Sequence, residues 1–345
     1  MRLDAPRHPD AKIISFMHQS GGVGKTTTLC VVAEALAINH GKRVLVVDLD
    51  PQMDATSILV GTTSREGYIA KEVVDYPGWE EIEELTSPKP NPKPSIRCIL
   101  MKEDRNEIPF PYPTFIDNTR YLPGKGEVTE ERRGCVDLIA GDKQSIVVVN
   151  TEFYNAPDKV TNHLYRFLHD DMVWENYDVV LIDNSPTETP MFEASLRAST
   201  HVAVPINFDL KNIGNTFGML GAIEREQTLH RNYDDQLEFL GFIPNMRERD
   251  TNLVEVIKDW LFVEHPEIGD YVFPEETWTP RRNCFKEYWL PGVKPRALLD
   301  KTQKEFDPVK QAITALGQHI HDAVWGEESR GANGNQKSVL MDEFV

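Results

Sequence analysis

The sequence predicts a doubly wound α/β domain: a mostly parallel sheet with helices on both faces. Three observations lead there. Short apolar runs alternate with stretches whose apolar residues recur at helical spacing. Residues 12–47 hold a strand, a glycine loop, a helix and a second strand, the length of one βαβ unit. Runs such as Val44–Val47 are apolar throughout, as strands covered on both faces must be.

Taken in order, residues 1–11 read as a loose tail and Lys12–Phe16 as a buried strand. Thr26–Asn39 reads as a helix, with Leu29, Val32, Ala33, Leu36 and Ala37 at helical spacing and Gly41 as its stop signal. Residues 62–135 interrupt the pattern. Pro88, Pro90, Pro92 and Pro94 alternate with polar residues, and Pro109, Pro111 and Pro113 with aromatics. Proline lacks the donor that a helix interior or a central strand needs, so this stretch reads as an inserted, irregular, partly extended segment. Strands follow at Val136–Ala140, Val179–Asp183, His201–Pro205 and Leu237–Ile243. Helices follow at Val160–Leu168, Ile213–Thr228 and Leu253–Val263, and Phe306, Val309, Ile313, Leu316 and Ile320 mark the last one. Residues 12–325 thus form one domain, and 326–345 read as a disordered tail.

The loop between the first strand and helix carries the chemistry. Gly21-Gly22-Val23-Gly24-Lys25-Thr26 opens the helix. Glycines let backbone N–H groups converge on an anion at a helix N-terminus. Lys25 adds a point charge for β/γ-phosphates, the Thr26 hydroxyl suits Mg²⁺, and Thr27 suits the α-phosphate. The ordinary pattern G-x-x-x-x-G-K-[ST] requires glycine at 19, where Gln19 stands. Asp183, ending an apolar strand, is the candidate to hold Mg²⁺ through a water. Asp48 lies on the same side of its strand as Asp50 if the run stays extended, which makes it an assisting metal residue.

Composition narrows the class. The 345 residues carry 37 basic and 55 acidic side chains, a net charge of −18. That balance sits awkwardly with nucleic-acid binding unless the basic residues cluster locally. Cys30, Cys98, Cys135 and Cys284 are scattered without a C-x-x-C pair, which argues against a zinc or iron–sulfur site. No apolar run approaches membrane-spanning length, and the N-terminus has no long apolar segment.

His18–Thr28 resembles the deviant Walker A box of the ParA/MinD family of P-loop ATPases. Val47-Asp48-Leu49-Asp50-Pro51-Gln52 resembles its second box, and Val179–Pro186 its Walker B strand and switch. The Asp-Leu-Asp-Pro-Gln run leans toward ParA-type partition ATPases, and the similarity covers residues 12–61 and 136–323. The resemblance implies ATP and Mg²⁺, with Asp50 orienting the attacking water and Asn245 and Arg247 lining the adenine. It implies an ATP-dependent sandwich homodimer that binds nucleoid DNA non-specifically in the cytoplasm. A ParB-like or McdB-like adaptor stimulates hydrolysis, and the cycle positions a plasmid, a chromosome origin or a protein compartment such as a carboxysome. In the family, DNA contacts come from the C-terminal third, where Arg281, Arg282 and Lys286 cluster among aromatics.

One departure stands out. The family's signature lysine precedes the glycine pair, and Ser20 occupies that position. The change resembles the McdA branch, in which the charge comes from the C-terminal half; Lys211, just after a strand, is the candidate substitute. Asp342-Glu343 at the end lacks the basic face of a MinD-like membrane helix. Two other readings stay open: a metabolic ATP-dependent enzyme on this fold, and a nucleotide-gated protein-binding switch without DNA binding.

Overall fold

The computed structural model describes residues 6–60, 62–63, 68–69, 96–101, 111–117, 134–152, 158–186, 188–207, 216–231, 237–247, 252–287, 298–299 and 304–326. Nine strands are described: β1 (Ile13–Phe16), β2 (Arg43–Asp48), β3 (Thr62–Thr63), β4 (Tyr68–Ile69), β5 (Tyr112–Asp117), β6 (Cys135–Ile139), β7 (Val179–Asp183), β8 (His201–Asn207) and β9 (Glu238–Asn245). The main sheet runs β5-β6-β2-β7-β1-β8-β9, and β3 and β4 form a separate ribbon. Every pairing in the main sheet is parallel except β5 against β6.

Both faces of the sheet are buried, which is why the central strands carry no polar alternation. Successive side chains of β2 go opposite ways: Val44 and Val46 join one apolar layer, Leu45 and Val47 the other. The same split holds in β7, with Val179 and Leu181 on one side and Val180 and Ile182 on the other. On the first side, α1 (Lys25–His40) packs against the last helix, Asp307–Trp325, through Leu29, Leu36, Ile313 and Leu316. Leu29 and Leu36 are wholly buried, worth about 1.5–3 kcal/mol each. Helices Lys143–Glu152, Asp158–Leu168 and Pro190–Ala198 contribute to the opposite layer.

The 62–135 segment is more regular than its prolines predict. Helix Ile96–Met101 buries Ile96, Ile99 and Leu100 in the core. Strand β5 accepts Pro113 because it is an edge strand, where one side of the ladder needs no donor. The proline run at 88–94 lies outside the described residues. Residues 6–11 are also anchored: the Arg7 guanidinium donates to the Ser199 carbonyl at 3.4 Å, and His8 stacks on Trp174. Further helices went unread, among them Asp54–Val60, Lys143–Glu152, Asp171–Asn176 and Pro190–Ala198. The last two carry ordinary start signals, with Asp170 and Thr189 each accepting an amide of the first turn.

Candidate functional site

The loop after β1, the acidic end of β2, Asp183 at the end of β7 and Asn245 at the end of β9 meet at the carboxyl ends of the strands. This is where open α/β sheets bind ligands. β1 sits between β7 and β8: the chain runs from β1 toward β2 on one side and crosses from β7 to β8 on the other, the reversal at which such sheets open a crevice.

The loop has the shape its glycines predict. Gly22 (φ 76°) and Gly24 (φ 86°) take left-handed conformations that glycine adopts without strain. Gly24 is the N-cap of α1, supplies no side-chain cap, and is followed by Lys25, Thr26 and Thr27, none acidic. The first-turn N–H groups of α1 are therefore free of a competing side-chain acceptor, and the helix end favours an anion. Beside Gly21 and Gly22 there is open space where side chains would stand.

The charged residues converge as expected. Thr26 Oγ1 donates to Asp183 Oδ2 at 2.8 Å. Asp183 Oδ1 is buried and has no partner among the described residues. Lys25 Nζ donates to the Ser20 carbonyl at 3.0 Å. Burial raises the Asp183 carboxyl well above its ordinary range, with the Asp48 and Asp50 charges adding to it and Thr26 and Lys25 opposing. Burial likewise raises Asp50, against the Gln52 amide and Lys25. Burial lowers the Lys25 ammonium, opposed by Asp183 and Asp50. Three carboxyl groups against one ammonium make a site that favours a further cation.

Asp48 stands beside Asp183 in the ladder. The strand ends at Asp48, and the chain turns, so that the Asp50 amide donates to Asp48 Oδ1 at 3.1 Å. Asp48 Oδ2 accepts from the Thr56 amide (2.9 Å) and hydroxyl (2.7 Å). Oδ1 thus holds the turn at Asp50, and Oδ2 the start of α2 (Asp54–Val60). Burial, only partly offset by these bonds, raises Asp48 to about 7.

Asn245 faces the loop rather than standing free. Its Nδ2 donates to Val23 and Gly24 carbonyls (3.2 and 3.3 Å) and to Thr28 Oγ1 (2.9 Å). Its Oδ1 accepts from the Met246 amide and the Thr279 hydroxyl. Arg247 pairs with Glu275 at 2.7 Å and lies over Trp278. Arg281 and Arg282 are exposed, next to the Arg247–Pro280 bridge. Lys211, and the Lys286 side chain, lie outside the described residues. The chain carried no signal for the roles of Thr28, Thr56 and Thr279, because each depends on a partner distant in sequence.

No group of three His, Cys, Asp or Glu able to hold a metal exists among the described residues. The donor set of Thr26 and Asp183, with its one orphaned carboxylate oxygen, fits Mg²⁺ carried by a nucleotide: two protein ligands, the rest from phosphate and water. No helix among the described residues is long and apolar enough to cross a membrane.

Fold and loop together define a P-loop nucleotide-binding protein. The chain belongs to the CobQ/CobB/MinD/ParA nucleotide-binding family, whose domain profile matches residues 14–277. It is similar to the chromosome-partitioning ATPase Soj of Thermus thermophilus, 27% identical over 75% of this chain and 78% of that protein. It is 26% identical to the sporulation initiation inhibitor Soj of Bacillus subtilis, over 72% of this chain and 78% of that one. In fold it is similar to apo McdA of Cyanothece (TM-score 0.61, 16% identity), covering 90% of this chain and 99% of that one. It is also similar to cobyrinic acid a,c-diamide synthase of Mycobacterium smegmatis with bound ATP analogue and magnesium (TM-score 0.60, 19% identity, 92% and 96% covered). These likenesses support a ParA-type P-loop ATPase fold.

Proposed function

We propose that this chain is a ParA-type ATPase that converts ATP to ADP and phosphate, residues 12–325 acting as one domain. The observation that carries the reading is the Thr26–Asp183 pair, with its unpartnered carboxylate oxygen, beside Lys25 at the uncapped start of α1. Phosphoryl transfer is catalysed by positioning and charge neutralisation more than by covalent steps, and this arrangement offers both. Gly21, Gly22, Val23, Gly24 and Thr27 cradle the phosphates, and Lys25 leaves the Ser20 carbonyl to neutralise β/γ oxygens. Thr26 and Asp183 hold Mg²⁺, which supplies further charge neutralisation, with Asp48 behind them. Asp50 orients the attacking water, and the burial that raises its pKa makes it a better proton acceptor than a free carboxylate. Asn245 and Arg247 border the base.

In this reading ATP brings two copies into a sandwich homodimer, which binds DNA non-specifically through the segment carrying Arg281, Arg282 and Lys286. Lys211 replaces the missing lysine at position 20. A ParB-like or McdB-like adaptor stimulates hydrolysis, and the cycle positions a cargo on the nucleoid. The similarity to chromosome-partitioning Soj across three quarters of the chain supports this over a synthase role. The test is duplex-DNA binding by Asp50→Ala protein with ATP and with ADP across a salt series. Binding with ATP alone, weakening steeply with salt, is the expected result. ATP turnover without ATP-dependent DNA binding would shift the reading to a synthase-like enzyme or a DNA-independent switch.

A further inference from the structure

His18 is wholly buried at the start of the loop, and its Nδ1 accepts the Ser20 amide at 2.8 Å. The carbonyl of the same residue accepts from Lys25. Ser20 therefore links the imidazole, through its N–H, to the Lys25 ammonium, through its C=O. An N–H donor on Nδ1 requires the neutral tautomer with its proton on Nε2. Burial, with the Lys25 charge adding to it, holds the ring neutral and pushes its pKa down to about 4. Nε2 has no partner among the described residues, so the bond to Ser20 is the ring's one polar contact there.

We propose that His18 is a positioning residue of the phosphate loop: by holding the Ser20 N–H it fixes the backbone at Ser20, and with it the carbonyl where Lys25 rests and the loop shape that receives a nucleotide's phosphates. The inference rests on the nucleotide-binding reading above. Without an acceptor at this place, the Ser20 N–H loses this bond and the backbone at Ser20 shifts, moving the carbonyl that parks Lys25. The effect falls on nucleotide affinity rather than on the chemical step, because the Lys25, Asp50 and Asp183 side chains are retained and Lys25 leaves the Ser20 carbonyl once phosphates are bound.

Two variants separate positioning from packing. His18→Asn keeps an acceptor where Nδ1 stands but loses volume. His18→Phe keeps volume but has no acceptor. Affinity for ATP is read with a fluorescent ATP analogue plus Mg²⁺, with KM and kcat alongside and thermal melting as the check on folding. The expected result is a Kd within a few-fold of the parent for His18→Asn and weakened about tenfold or more for His18→Phe, with kcat changed little in either. Equal affinities for the two variants, or tighter binding by His18→Phe, would overturn the proposal. Failure of the parent protein to bind ATP would instead overturn the nucleotide-binding reading on which it stands. If His18→Phe does not fold, His18→Leu serves as the acceptor-free variant.

Discussion

Asn245 Nδ2 lies 2.9 Å from Thr28 Oγ1, joining the end of β9 to the first turn of α1. The same amide holds the Val23 and Gly24 carbonyls, so one side chain at the far edge of the sheet braces the phosphate loop. Asn245→Ala would leave the buried Thr28 and Thr279 hydroxyls and the Met246 amide without this partner. The expected loss is about 2–3 kcal/mol in urea unfolding, together with weaker nucleotide binding. Unchanged stability would mean that the brace is dispensable.

Gly22 and Gly24 share a left-handed backbone but differ in surroundings. Alanine at either should cost about 1–2 kcal/mol for the conformation itself. At Gly24 the added Cβ also overlaps Asn245 Nδ2, whereas at Gly22 it meets open space. Gly24→Ala should therefore lower the melting temperature clearly more than Gly22→Ala. Equal melting temperatures would contradict the close approach of Asn245.

Lys25 is the cation nearest the acidic cluster. Lys25→Ala should reduce ATP hydrolysis by about a hundredfold or more, since a preorganised charge aimed at developing charge is worth that much. The fold should survive, because Lys25 makes a single bond to the Ser20 carbonyl. Circular dichroism and ATP turnover, measured together, check both halves.

Thr56 Oγ1 donates to Asp48 and accepts the Gly141 amide at 3.0 Å. Thr56→Val keeps the shape and removes both bonds. It should cost about 1–3 kcal/mol, because buried groups are left unpaired. Urea midpoints of the parent and variant measure it.

His201, the first residue of β8, is buried, with Nδ1 2.6 Å from Thr200 Oγ1. Burial, with Arg7 and Lys12 adding repulsion, pushes its pKa from 6.5 down to about 3. The unfolded chain takes up a proton near 6.5 and the folded chain only near 3. Between those values the unfolded state binds more protons, so stability contributed by neutral His201 is present above pH 6.5 and lost as pH falls toward 3. The parent should therefore lose more stability than His201→Asn between pH 7 and 4.5. A stability difference that stays constant with pH would refute this.

Much of the fold was legible because local chemistry and tertiary placement agreed. β1, β2 and β7 were readable from apolar runs that need cover on both faces. That Thr26, Lys25 and Asp183 come together was readable from the pattern of a glycine turn, a helix start and an acid at a strand end. Reading failed where tertiary placement added what local composition hides: helix Ile96–Met101 is buried in the core, inside a segment whose prolines marked it as irregular.

The sequence by itself determined the βαβ order, the buried strands and the phosphate loop, since these follow from periodicity and glycine conformation within a few residues. Only the tertiary structure decided what Asn245, Asp48 and His18 do. A buried polar group must find partners, and those partners come from wherever the chain crosses: Asn245 meets Thr28 across 217 positions of sequence.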